Sequence, residues 1–313
     1  MDRESKFKIA VIGIGGVGGY VGGRLAARFA ESDDAEIFLA ARGENEKAIR
    51  ANGLKIISTK GGEIVYPKLA LIESLKDTDL LILCTKEYDL ETTIESLKDH
   101  IGEKTAILSL LNGVDTKERI AKILPETEIW QGCIYIISRL SAPGVVQETG
   151  GICLIYFGNE NTPTEKQKRA ETIFREAGID AHLTADIDAK MWEKFVFISS
   201  LAGATSYTNS TIGEILENEE YKKLLYDLAN EIKQVARAKK INFSEEAIQQ
   251  KSDRLGSLPF DSTSSMHTDF SNGHHAEIES LIGYVVREAQ KLELPVPVYD
   301  KVYDGLLKKL AAK

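Results

Sequence analysis

Phe7-Lys8-Ile9-Ala10-Val11-Ile12-Gly13-Ile14-Gly15-Gly16-Val17-Gly18 is a run of strand character ending in a G-x-G-x-x-G turn. Apolar residues then recur at helical spacing, at Val17, Val21, Leu25 and Phe29, so the stretch reads strand, turn, helix. Each glycine has a task in such a unit. Gly13 permits the tight turn, Gly15 lets backbone approach a pyrophosphate, and Gly18 lets the helix pack closely on the sheet. The phosphates are received by the unpaired N–H groups and positive end of the helix, at Gly16, Val17 and Gly18. The expectation is a dinucleotide site; the bland alternative is a glycine turn kept for packing.

Length and charge narrow the rest. A chain of 313 residues is sized for two domains. Its 39 Lys and Arg against 48 Asp and Glu leave a net charge of −9, which disfavours a nucleic-acid or membrane-surface partner. Cys84, Cys133 and Cys153 fall in separate strand-like runs without metal-ligand spacing, as expected of buried thiols in a reducing compartment. The first residues lack an apolar signal region and no run reaches membrane-spanning length, so the expected location is cytoplasmic.

Outward from the glycine turn, Glu36 to Ala41 reads as the second parallel strand, with Arg42 at its carboxyl end. An acid about 20 residues beyond the glycines suits the ribose 2′-hydroxyl of NAD, whereas an arginine suits the 2′-phosphate of NADP. Arg42 with Ala41 before it therefore favours NADP, unless Arg42 is a surface residue paired with Glu44. Leu54 to Ser58 and Glu63 to Tyr66 flank Lys60-Gly61-Gly62, a hairpin expected as an insertion in the wound sheet. Asp79 to Thr85 is a continuous apolar strand ending at Lys86, which then points to the crevice where such sheets bind ligands. Thr105 to Leu111 ends likewise at Asn112-Gly113, where Asn112 is either a cofactor or substrate contact or half of a turn pair. Further strands are expected at 129–136, 145–146 and 152–157, and a helix from Thr162-Pro163-Thr164-Glu165 to about Gly178.

Past Ala185 the pattern changes to helices, at about 187–207, 211–239, 244–257, 262–271, 274–293 and 298–311. The expected fold is α/β, an N-terminal Rossmann-type dinucleotide-binding domain over residues 1–185 followed by an all-helical domain over 186–313. Lys194 has Lys190, Met191, Phe197 and Ile198 as helical neighbours, so it either snorkels out or is partly buried with a pKa lowered toward proton transfer. Glu277 stands at the start of a helix burying Ile278, Leu281, Ile282, Val285 and Ala289. Ser262 to Ser265 reads as a helix cap or as hydroxyl donors to an anion. His267, His274 and His275 lack partner acids at ligand spacing, and no metal is expected.

Taken together, Gly13 to Gly18, Arg42, Leu83-Cys84-Thr85-Lys86, Leu111-Asn112-Gly113, Ala142-Pro143-Gly144-Val145, Met191-Trp192-Glu193-Lys194-Phe195, Ser264-Ser265-Met266 and Ala276-Glu277-Ile278-Glu279 resemble the ketopantoate reductase (2-dehydropantoate 2-reductase) family along nearly the whole chain. The resemblance implies reduction of a small 2-keto acid by NADPH between a Rossmann domain and a helical domain, as in pantothenate biosynthesis, and leaves a homodimer open. It implies Lys194 as general acid, Glu277 and Ser265 as substrate-binding groups, and Asn112 as shared by cofactor and substrate. Family members usually carry asparagines four and eight residues after the lysine; here Ile198 and Ala202 stand there, which puts the acyl chain of the substrate in question. Alternatives to the keto acid reductase are a dehydrogenase of another small hydroxy acid and a non-catalytic NADP sensor.

Overall fold

The structure, a computed structural model, describes residues 5–311. The chain forms two compact units, Met1–Leu111 with Asp115–Ile187, and Asn112–Val114 with Asp188–Lys313.

The first unit contains β1 (Phe7–Ile12), α1 (Gly16–Arg28), β2 (Ala35–Ala40), α2 (Gly43–Asn52), β3 (Leu54–Ser58), β4 (Gly61–Val65), β5 (Lys68–Leu69), β6 (Leu80–Leu83), α3 (Leu90–Leu97), β7 (Ala106–Ser109), α4 (Thr116–Ile123), β8 (Glu128–Tyr135), β9 (Ser138–Ala142), β10 (Val145–Glu148), β11 (Leu154–Gly158), α5 (Glu165–Glu176) and β12 (Asp180–Leu183). Eight strands form one sheet in the order β12-β11-β8-β7-β6-β1-β2-β5. From β5 to β8 every neighbour is parallel, and the winding reverses between β1 and β6, the switch point of a doubly wound sheet. Alternate residues of the central strands serve opposite faces. Ile9, Val11, Leu80 and Ile82 enter one apolar cluster, and Ala10, Ile12, Leu81 and Leu83 another. Burial on both faces is why these strands read as unbroken apolar runs.

The glycine hairpin does form, with Ser58 opposite Gly61, but it lies outside the wound sheet. It belongs to a second sheet of order β4-β3-β10-β9, in which β3 pairs in parallel with β10. Strand β9, Ser-Arg-Leu-Ser-Ala, is mostly exposed and has no apolar alternation to reveal it; β12, Asp-Ala-His-Leu, alternates but is only four residues long. Helix α5 starts later than expected, at Glu165, with Pro163 outside its first turn: Thr164 is the cap, its side chain accepting from the Gln167 amide while the Gln167 side chain accepts from the Thr164 amide.

The second unit is helical: α6 (Ile187–Thr208, all but its first residue), α7 (Ile212–Glu217), α8 (Glu219–Ala238), α9 (Glu245–Asp253), α10 (Ser265–Ser271), α11 (Tyr284–Lys291) and α12 (Pro297–Ala311). The stretch 211–239 is two helices, because the Asn218 side chain accepts from the amides of Glu220 and Tyr221 and starts a new one. The helix expected from His274 begins only at Ile278, and its first turn, Glu279–Gly283, is a π-turn. Trp192, Phe195, Val196, Leu228, Ile232, Ile282, Val285 and Tyr299 are among the residues filling this unit's core.

Candidate active site

The glycine turn lies at the switch point, at the carboxyl end of β1. Gly13 has φ of +89°, and a side chain there would put its Cβ 2.6 Å from the Thr85 amide nitrogen. A Cβ at Gly18 would lie 2.2 Å from the Gly13 carbonyl oxygen, and one at Gly16 2.5 Å from that of Ser138. A Cβ on Gly15 would instead meet nothing within 4 Å. Gly15 caps α1 without a side-chain bond, so the amides of the first turn, including Gly16 and Val17, keep their open hydrogen-bonding capacity. Beside the turn, Thr85 Oγ1 and Ser138 Oγ are buried with no hydrogen-bond partner among the described residues. Tightly packed glycines around one open face, with orphaned hydroxyls and uncapped amides, suit a bound pyrophosphate.

Arg42 caps α2 and is 87% exposed. Its ion-pair partner is Asp89 at 2.9 Å, while Glu44 pairs with Lys47 at 2.7 Å. Lys86 is exposed just past the end of β6. Asn45, which no motif marks in the sequence, donates to the Ile14 carbonyl at 2.6 Å and accepts from the Gly144 amide at 2.7 Å. It thereby fastens the glycine turn to the Pro143-Gly144 turn. Its only sequence signal is an asparagine one helical turn past a strand end.

In the second unit three predicted residues meet. Lys194 Nζ donates to Asn112 Oδ1 at 2.8 Å, and Asn112 Nδ2 donates to Glu277 Oε2 at 3.3 Å. An ammonium only donates and a carboxylate only accepts, so the Asn112 amide has one workable orientation between them. Lys194 and Glu277 are both buried, at 7% and 6% exposure. Of the two readings for Lys194, the structure supports burial rather than snorkelling. Ile198 is half-buried and Ala202 buried, one and two turns further along α6. The arrangement offers a proton donor and a carboxylate joined by one amide, next to aliphatic surface.

Two residues not singled out from sequence hold this cluster. Ser199 Oγ donates to the Leu281 carbonyl at 2.6 Å and bonds the Tyr299 hydroxyl at 2.7 Å, tying the Lys194 helix to the π-turn that follows Glu277. Such π-turns are frequent at functional sites. Glu193, 2% exposed, accepts from the Ser244 amide at 3.2 Å and lies 3.4 Å from the ammonium groups of Lys190 and Lys251, anchoring α6 from behind. Ser265 is exposed at the start of α10, and among the described residues no hydrogen bond joins it to Lys194, Asn112 or Glu277. The cap of α10 is Ser264, which accepts from the His267 amide at 3.0 Å.

Comparison with known proteins gives consistent matches over the chain. The family model described as Ketopantoate reductase PanE/ApbA matches residues 9–161, and that described as Ketopantoate reductase PanE/ApbA C terminal matches 186–310. The Bacillus subtilis (strain 168) protein named uncharacterized oxidoreductase YkpB is 30% identical over 301 residues, covering 96% of this chain and 97% of that protein. The crystal structure of 2-dehydropantoate 2-reductase from Porphyromonas gingivalis W83 is 35% identical with a TM-score of 0.84, covering 97% of this chain and all of that one (100%). A ternary structure of D-mandelate dehydrogenase with NADH and anilino(oxo)acetate has a TM-score of 0.85 at 23% identity, over 97% of this chain and 99% of that one, a likeness of fold.

Proposed function

Because the chain belongs to the ketopantoate reductase family and is an oxidoreductase of that family, we propose that it reduces a small 2-keto acid to the 2-hydroxy acid with NADPH. The observation that carries this reading is the bridge from Lys194 through Asn112 to Glu277. When bound, a reduced nicotinamide would supply the hydride for the keto carbon, and the carbonyl oxygen would then need a proton. Lys194 is the donor of that proton, and its hydrogen bond to Asn112 aims the ammonium. Glu277 serves substrate binding and, through Asn112, keeps the lysine oriented. In the first unit Gly13, Gly15, Gly16, Val17 and Gly18 would receive the pyrophosphate, Arg42 the 2′-phosphate, and Lys86 would add a further contact to the dinucleotide. Ser265, at the exposed start of α10, serves substrate binding.

2-Dehydropantoate, the substrate of pantothenate biosynthesis, is the first acid to test. Ile198 and Ala202 offer no hydrogen bond on the face of α6 that carries Lys194, so a buried substrate hydroxyl facing them forfeits roughly 1–3 kcal/mol. The test is consumption of NADPH against 2-dehydropantoate and a series of 2-keto acids with branched apolar chains. The expected result is turnover with several, the apolar acids showing the lower KM. Turnover of none would sink the reading and favour a binding role for the dinucleotide; 2-dehydropantoate outperforming every apolar acid would overturn the preference drawn from Ile198 and Ala202.

A further inference from the structure

Position 41 is an alanine, and the acid that pairs with Arg42 comes from elsewhere in the fold. Asp89 ends the short helical turn Glu87–Asp89 that follows β6, and it forms the N-cap of α3. In the sheet β6 and β2 are the two neighbours of β1, the strand that carries the glycine turn. The Arg42–Asp89 pair thus links the connection after one neighbour to the connection after the other. Asp89 is the only acid paired with Arg42 among the described residues, and at 34% exposure it is less solvated than its partner.

We propose that Asp89 sets the choice of dinucleotide, holding Arg42 and presenting a carboxylate where the 2′-phosphate is received, so that NADH is accepted alongside NADPH. The proposal rests on the reading that Arg42 receives the 2′-phosphate. A ribose 2′-phosphate carries close to two negative charges near neutral pH, so it must compete with Asp89 for the guanidinium and approach a like charge. A ribose 2′-hydroxyl has no such conflict. It donates to a carboxylate, the same contact that an acid at the end of the second strand makes in NAD-binding sheets. Here that acid comes from the connection after β6, which a rule based on spacing from the glycines does not reach.

The test is equilibrium binding, by calorimetry, of 2′-phospho-ADP-ribose and of ADP-ribose to the full chain and to Asp89→Asn, Asp89→Ser and Arg42→Ala variants. The parent should bind the two ligands within about tenfold of each other. Asp89→Asn should tighten the phosphorylated ligand by roughly five- to tenfold and leave ADP-ribose unchanged or slightly weaker. An unchanged ratio, or a ratio shifted toward ADP-ribose, overturns the proposal. Loss of both ligands in both Asp89 variants overturns it as well, since Asp89 would then hold the site together instead of choosing between ligands. Arg42→Ala separates the two readings: equal loss of both ligands removes Arg42 as the 2′-phosphate group, while selective loss of the phosphorylated one keeps it whatever Asp89 does.

Discussion

At the scale of single residues, charge and hydrogen-bond chemistry decide the site more than position along the chain. Lys194 and Glu277 were legible through the resemblance to the ketopantoate reductase family, and helical spacing alone left a snorkelling lysine and an ordinary helix-start acid open as well. Their connection through Asn112 was not legible, because 82 residues separate Asn112 from Lys194 and 165 separate it from Glu277. The ion pair of Arg42 was legible as a competition but not in its partner: Glu44 is near in sequence, whereas Asp89 is near in the fold. His267 shows how burial acts on another residue of the second unit. Thr263 Oγ1 lies 2.5 Å from its Nδ1 and Asn209 Oδ1 3.1 Å from its Nε2, which assigns the neutral tautomer with the proton on Nε2. Desolvation holds its pKa below the ordinary 6.5, with Glu214 opposing and Lys309 adding to the shift. A depressed histidine pKa means that the unfolded chain takes up the proton first. The associated stability is therefore complete above pH 6.5 and falls as pH drops from there toward the folded pKa. Denaturant midpoints measured across that window should fall more steeply for the parent than for His267→Gln; parallel curves would show that His267 titrates alike in both states.

Elements were legible where one rule governed a whole stretch. The unbroken apolar runs of β6 and β7 and the glycine turn after β1 announced a parallel sheet buried on both faces. The rule failed where pairing rather than burial makes the strand. β9 has four of five residues exposed and is held by β10, and nothing in its side chains requires it to be a strand. It failed again at Asn218, where a cap interrupts a stretch whose apolar period alone reads as one helix. The packing of α1 on the sheet gives the sharpest prediction at this scale. A methyl at Gly18 would sit 2.2 Å from the Gly13 carbonyl oxygen and 2.8 Å from Cys84 Cβ, so turn and helix must separate to admit it. Overpacking of this kind costs roughly 1–3 kcal/mol. Gly18→Ala should lower the denaturant midpoint and lose ADP-ribose binding, because the displaced turn no longer presents its amides. A Gly18→Ala variant with parental affinity for ADP-ribose would show that the turn does not hold the pyrophosphate.

For the molecule as a whole, each unit has its own core and carries a different part of the proposed chemistry: dinucleotide recognition in the first, proton donation and substrate contacts in the second. The sequence showed a change from mixed strands and helices to helices alone near Ala185. It did not show that Asn112–Val114 belongs with the second unit, since those residues directly follow a strand run of the first. Defects in the two parts should therefore be separable, and Lys194→Ala measures this most directly. The substitution removes the 2.8 Å bond to Asn112 and leaves its carbonyl without that donor, a cost of roughly 1–3 kcal/mol, so thermal unfolding of the variant is recorded alongside its kinetics. General acid catalysis contributes about 10²–10⁴-fold, and kcat for the best 2-keto acid should fall by that factor while ADP-ribose affinity stays at the parental value. A folded Lys194→Ala variant that binds ADP-ribose normally and reduces the same acid at close to the parental kcat would contradict the assignment of Lys194 as proton donor.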